Sequence, residues 1–211
     1  MEEDLGMSSN IDINQKKILQ DIKQATHKNI SKNLAKIQRA LDQKIEKIVF
    51  QRLVTGLPSI QGDDLAEIGV PDINTRLVSI VQAVANNTRV KIKLEDNIQI
   101  SIHILEEDYS DVLSLPDAVY KYTSASGSGI LEWLKWILLG GNGTVVAGFE
   151  FSSISSPFSR TGGGLMGSGS GWRVPPSLSG TANDNILTKA LENIEKDIQV
   201  IVNQELQRIL K

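Results

Sequence analysis

The sequence predicts an α+β protein. Long amphipathic N- and C-terminal helices pack around a small antiparallel β-sheet, made of a central β-hairpin plus one or two further strands. Three observations carry that expectation. Apolar residues recur at helical spacing near the start, through Ile18, Ile22, Ile30, Leu34, Ile37, Leu41, Ile45 and Ile48. A broader stripe of the same kind runs from Ile186 to Leu210. Between them, Val90 to Ile104 alternates apolar with polar residues on both sides of a short Asp/Asn turn.

Each element has a local reason. Residues 1–11 are expected to be a disordered acidic tail, led by Glu2, Glu3 and Asp4. Asp12 or Asn14 then caps a helix over 12–56, which Gly56 and Pro58 terminate. That helix far exceeds the average of about 11–12 residues, so it must project, kink at Asn29 to Ser31 or pack against another chain. Residues 57–211 are expected to form the α+β core. Pro71-Asp72 opens a second helix with Leu77, Ile80, Val81 and Val84 as its buried stripe. The hairpin follows, with His103 on its polar side. Short helical turns broken by Pro116, a flexible Ser124–Gly129 link and a helix over Ile130–Leu139 come next. Trp133 and Trp136, three apart, are expected to pack together in the core. A third strand spans Thr144–Phe151, a Gly/Ser-rich loop spans 155–171, and Trp172 to Val174 forms a short edge strand before Pro175. Thr181 or Asn183 caps a terminal helix over 183–211.

Composition narrows the chemistry. With no cysteine, thiolate nucleophiles, disulfides, Fe–S clusters and zinc ribbons are excluded. Two histidines leave no His-rich metal site. No apolar run follows the acidic start, so no secretory signal is expected, and no membrane partner either, since the most apolar run, Ile130–Leu139, is far shorter than the ~20 residues of a membrane helix.

Charge is unevenly distributed. From Asn14 to Gly56 ten bases face three acids, a net +7 inside a chain of net −3. Lys28, Lys32, Lys36 and Arg39 form its basic-face candidates. One reading is the solvated side of an amphipathic helix. The other is a surface held near DNA or near an acidic neighbouring subunit.

Enzyme signatures fail in turn. Gly127-Ser128-Gly129 before a helix lacks the Lys-Ser/Thr pair of a phosphate-binding loop. Gly167-Ser168-Gly169-Ser170-Gly171 carries the letters of a nucleophile elbow, but no histidine follows it. The acid clusters Asp63-Asp64 and Glu106-Glu107-Asp108 fit helix caps and loop ends. No enzymatic activity, catalytic residue, metal site or cofactor is therefore expected. The long Gly-rich loop with Arg160 and Thr161, followed by Trp172 and Arg173, either orders against a partner or is plainly disordered.

One resemblance bears on these residues. Ser159-Arg160-Thr161-Gly162, Gly171-Trp172-Arg173-Val174-Pro175-Pro176 and Ser179-Gly180-Thr181 leading to Ala190-Leu191 resemble the neck or tail-completion proteins of tailed bacteriophages. The order of N-terminal helix, central hairpin and terminal helix is similar as well. The resemblance spans roughly 32–211, with its specific residues confined to 159–191. It implies a non-enzymatic structural protein at the head–tail junction: a homo-oligomeric ring joining the portal connector to the tail tube. Its implied partners are further copies of itself, other neck, connector or tail proteins, and passing double-stranded DNA. Its implied place is the virion neck, after synthesis in the host cytoplasm. Arg160, Thr161, Trp172 and Arg173 are then the interface candidates. A tail-terminator or other connector ring protein is the alternative of the same kind. A nucleic-acid-binding or scaffolding protein using the basic helix is the alternative of a different class.

Overall fold

The computed structural model describes residues 15–57, 67–95, 98–124, 127–154 and 156–210. The chain is α+β, with long first and last helices and small antiparallel sheets. The tail, its capping candidates Asp12 and Asn14, and the acid pair Asp63-Asp64 lie outside the described residues.

Helix α1 spans Gln15–Gly56, about 63 Å at 1.5 Å per residue, and stays helical through Asn29 to Ser31. Its buried residues are Ile30, Ile37, Leu41, Ile45, Val49 and Leu53, a stripe at spacings of seven and then four. From Gln20 to Asn29 none of its residues is buried, and Ile22 is 57% exposed. From Gln20 on, full burial of α1 therefore begins at Ile30. Helix α2 (Ile73–Asn87) lays Leu77, Ile80, Val81 and Val84 into the same core.

The strands of the described residues number six and form three separate two-stranded antiparallel sheets, rather than one sheet around a central hairpin. β1 (Arg89–Leu94) pairs with β2 (Ile98–His103) as the expected hairpin, Ile92 opposite Ile100. β1 is tied to α1 at two points. Gln38 Nε2 donates to the Val90 carbonyl at 3.0 Å, and the Val90 N–H donates to Asp42 at 2.9 Å. A short helix α3 (Ser110–Leu113) and a 3₁₀ turn at Pro116–Ala118 follow.

Two segments expected to lack structure are strands. β3 (Tyr120–Ser124) pairs with β4 (Gly127–Leu131), so most of the expected flexible link is a ladder. Gly129 faces Tyr122 across it, and a Cβ there would meet the ring at 2.6–2.9 Å. Glycine is the residue that lets the aromatic lie flat on its neighbour strand. The helix expected from Ile130 begins only at Trp133, because Ile130 and Leu131 belong to β4; α4 is Trp133–Leu139. β5 (Thr144–Ser152) pairs with β6 (Leu165–Arg173), so nearly half of the expected Gly/Ser-rich loop is a strand. The glycines of β6 make room for side chains of β5, with Glu150 crossing Gly169 and Phe151 crossing Gly164 just before the strand.

The terminal helix is broken in two. α5 (Ile186–Ala190) is capped by Asn185 in a capping box with Thr188, and not by Thr181 or Asn183. The chain then turns through Asn193 at φ 60°, a left-handed conformation that asparagine tolerates better than most residues. α6 (Ile194–Leu210) restarts with Glu195 and Asp197 in its first turn, where negative charge suits the helix dipole. α6 runs antiparallel along α1. Lys44 pairs with Glu205, and Arg52 Nε donates to Asp197 at 2.9 Å.

Candidate assembly surfaces

The interface candidates gather where the β5–β6 ribbon meets the body. Trp172, near the end of β6, is only 5% exposed. Its ring packs edge-on against Trp136 at 5.9 Å between centroids, and its indole N–H donates to Glu67 at 3.0 Å. Trp172 is thus a core residue of the subunit and not an interface residue: its N–H is satisfied and its rings are covered. The aromatic pair expected between Trp133 and Trp136 is likewise Trp136 with Trp172. Trp133 is fully buried on its own and donates to the Asp117 carbonyl at 2.9 Å.

Arg160 remains at the surface, with its guanidinium 4.8 Å from the centre of the Tyr122 ring. This contact fastens the loop to the β3–β4 hairpin, at a worth of about 0.5–1 kcal/mol for an exposed site. Thr161 accepts a hydrogen bond from the Gly163 N–H at 3.4 Å, so it shapes the loop. Arg173 is exposed at the end of β6, opposite Thr144. Beneath the loop lies a cavity of about 200 Å³, lined by Leu131, Trp136, Phe151 and Trp172 with Glu67 and Arg160 as its charged members.

The ribbon itself offers what the sequence reasoning passed over. Among the described residues, each of its strands has a ladder partner on one side only. Phe149 (47%), Ile154 (60%) and Phe158 (86%) are among the most exposed large apolar residues described, and Met166 joins them on β6. The composition of Thr144–Phe151, with Val145, Val146, Phe149 and Phe151, fits the expected strand. Nothing in it told which face would stay uncovered, because that depends on the partner strand being read as a loop.

The basic-face candidates sit on the far side of α1 from the core. Lys28, Lys32, Lys36 and Arg39 are all exposed. None of them has an ion-pair partner among the described residues. The acids behave differently. Glu205 is fully buried between Lys44 and Arg208, and the Lys44 ammonium, with help from Arg208, holds its carboxyl below the usual range. Asp108 is held low by its hydrogen bonds from Ser110. Burial raises Asp111, whose Oδ1 is one of two buried side-chain polar atoms without a hydrogen-bond partner among the described residues. His103 pairs with Glu106 at 3.3 Å in an exposed position.

Among the described residues no group of three or more His, Asp or Glu could hold a metal ion, and no helix is long and apolar enough to cross a membrane. The segment Ser179–Leu191, which carries much of the phage resemblance, has a structural task. The Asn185 amide donates to the Tyr109 hydroxyl at 2.8 Å and to the Thr181 carbonyl at 2.9 Å, deep in the core. Compared with protein-family models, curated proteins and solved structures, the chain matches none.

Proposed function

We propose that this chain is a non-enzymatic structural subunit that assembles into a homo-oligomeric ring at the head–tail junction of a tailed bacteriophage. It works there as a neck or tail-completion protein between portal connector and tail tube. The observation that carries the assembly role is the β5–β6 ribbon: among the described residues each of its strands has a ladder partner on one side only, Phe149 and Met166 are exposed on the strands, and Ile154 and Phe158 are exposed on the loop that joins them. An unpaired strand edge recruits another strand, and an exposed apolar row favours burial against a partner. What supports the choice of particle is the resemblance of residues 159–191 to neck proteins. The stretch of α1 from Gln20 to Asn29, none of it fully buried, supports the same role, since it gives one subunit a second, different surface. Two different surfaces per subunit are what a head-to-tail ring requires.

The test is electron microscopy together with particle composition. Negative-stain images of the purified protein should show closed rings, and the chain should co-purify with virions from a producing lysate. Finding it in the lysate supernatant and absent from washed particles would contradict the proposal. Other connector positions, such as the tail terminator, would be separated by where labelled antibody decorates the particle.

A further inference from the structure

We infer that the exposed side of α1 binds the phosphate backbone of double-stranded DNA without regard to base sequence. From Ile22 to Leu41 the helix carries Lys23, Lys28, Lys32, Lys36 and Arg39 and no acid. Lys28, Lys32 and Lys36 follow at steps of four residues, about 6 Å along the axis, and Arg39 closes a row about 16 Å long. The row faces away from the buried stripe that begins at Ile30. β1 lies alongside this part of the helix, with Leu94 and Glu95 bordering the same groove as Gln20 to Lys28. Lys91 and Lys93 point outward from it and raise the positive potential along that edge.

Two alternative occupants fit less well. An acidic face on a second copy would need a matching row of free carboxylates. Among the described residues, Asp117, Glu132, Asp184, Asp197 and Glu205 are already in ion pairs, and acids outside ion pairs, such as Asp72, Glu107, Glu150 and Glu195, stand on separate elements. The longest acidic run among the described residues, Glu106 to Asp108, has its first member paired with His103. Single strands are held by aromatic stacking platforms as well as cations, and the residues from Ile22 to Leu41 include no Phe, Tyr or Trp. A straight, regularly spaced polyanion remains. This inference stands on the helix alone and does not need the ring.

The experiment is fluorescence anisotropy of a labelled 20-bp duplex titrated with the full-length protein at 50 and 200 mM NaCl. Four phosphate contacts give a log–log salt slope of about −3.6, which is about a 150-fold loss of affinity over that range. K32Q/K36Q should make the slope shallower by about two, with circular dichroism unchanged because both side chains are exposed. Absence of binding at 50 mM salt, salt-independent binding, or a K28Q/K32Q/K36Q/R39Q variant that binds like the parent would overturn the inference. So would a change in the protein's mass in solution caused by these substitutions without any DNA binding, which would make the row a subunit contact. A monomer that binds the duplex keeps this inference and removes the ring; a ring indifferent to DNA does the reverse.

Discussion

Glu205 on α6 lies 2.6 Å from the Lys44 ammonium on α1, and its carboxylate is fully buried while the lysine is half exposed. The contact fixes the axial register of the first and last helices. Arg208 bonds the second oxygen of the same carboxylate, so both oxygens are occupied. Removing such a charged hydrogen-bond acceptor costs about 2 kcal/mol. Glu205→Gln is expected to lower stability at pH 7 by about that amount in urea unfolding. Because the folded carboxyl titrates below its ordinary 4.5, the folded state binds this proton less readily than the unfolded chain. The stabilisation is therefore complete above the unfolded value and disappears as pH falls through the folded one. Parent and variant should converge in stability on the acid side, and a gap that stays constant down to low pH would contradict the assignment.

Asn185 uses its whole hydrogen-bonding capacity. Its Oδ1 accepts from Leu187 and Thr188 N–H at 3.0 and 3.1 Å, while its amide donates to Tyr109 and Thr181. Losing a cap costs about 1 kcal/mol, and leaving buried acceptors without donors adds to it. Asn185→Ala should lose about 2–3 kcal/mol in denaturant titration. Asn185→Asp should be no better at pH 7, since it keeps the cap but loses both donors and buries a charge.

Gly56 ends α1 against Ala190 of α5. A Cβ there would lie 2.6 Å from the Ala190 Cβ and 2.8 Å from its Cα. A helical Gly→Ala exchange ordinarily stabilises by up to about 1 kcal/mol. Here backbone must move, and overpacking costs about 1–3 kcal/mol, so the sign reverses. Gly56→Ala should lower the melting temperature.

Phe158 and Arg160 separate assembly from folding. Phe158 is 86% exposed, so Phe158→Asp should leave the melting temperature within a few degrees. Arg160→Ala removes only the stack on Tyr122, about 0.5–1 kcal/mol, and should likewise retain the fold. Both are expected to weaken self-association. Should either unfold the subunit, the loop is part of the core.

The long helices and the first hairpin were legible because burial imprinted 3.6- and 2-residue periods on apolar residues such as Ile37, Leu41, Ile92 and Ile100. β4 and β6 were not, because their signature is glycine fitted beneath Tyr122, Phe151 and Glu150, a relation between strands that no single segment displays. The break at Asn193 was hidden for a different reason. The apolar stripe continues across it, so only backbone handedness marks the turn. At the candidate site, Arg160 and Arg173 lie exposed, whereas the burial of Trp172 was not legible because its partners, Trp136 and Glu67, lie 36 and 105 residues away.

The central claim is that the ribbon joins copies of this chain. The most direct measurement is the mass of the full-length protein in solution by sedimentation equilibrium, taken over a wide concentration range for the parent and for Phe158→Asp. A single closed oligomer, an integral multiple of 23.1 kDa, that dissociates in the folded variant is the predicted result. A parent that stays at 23.1 kDa at every concentration would contradict the account.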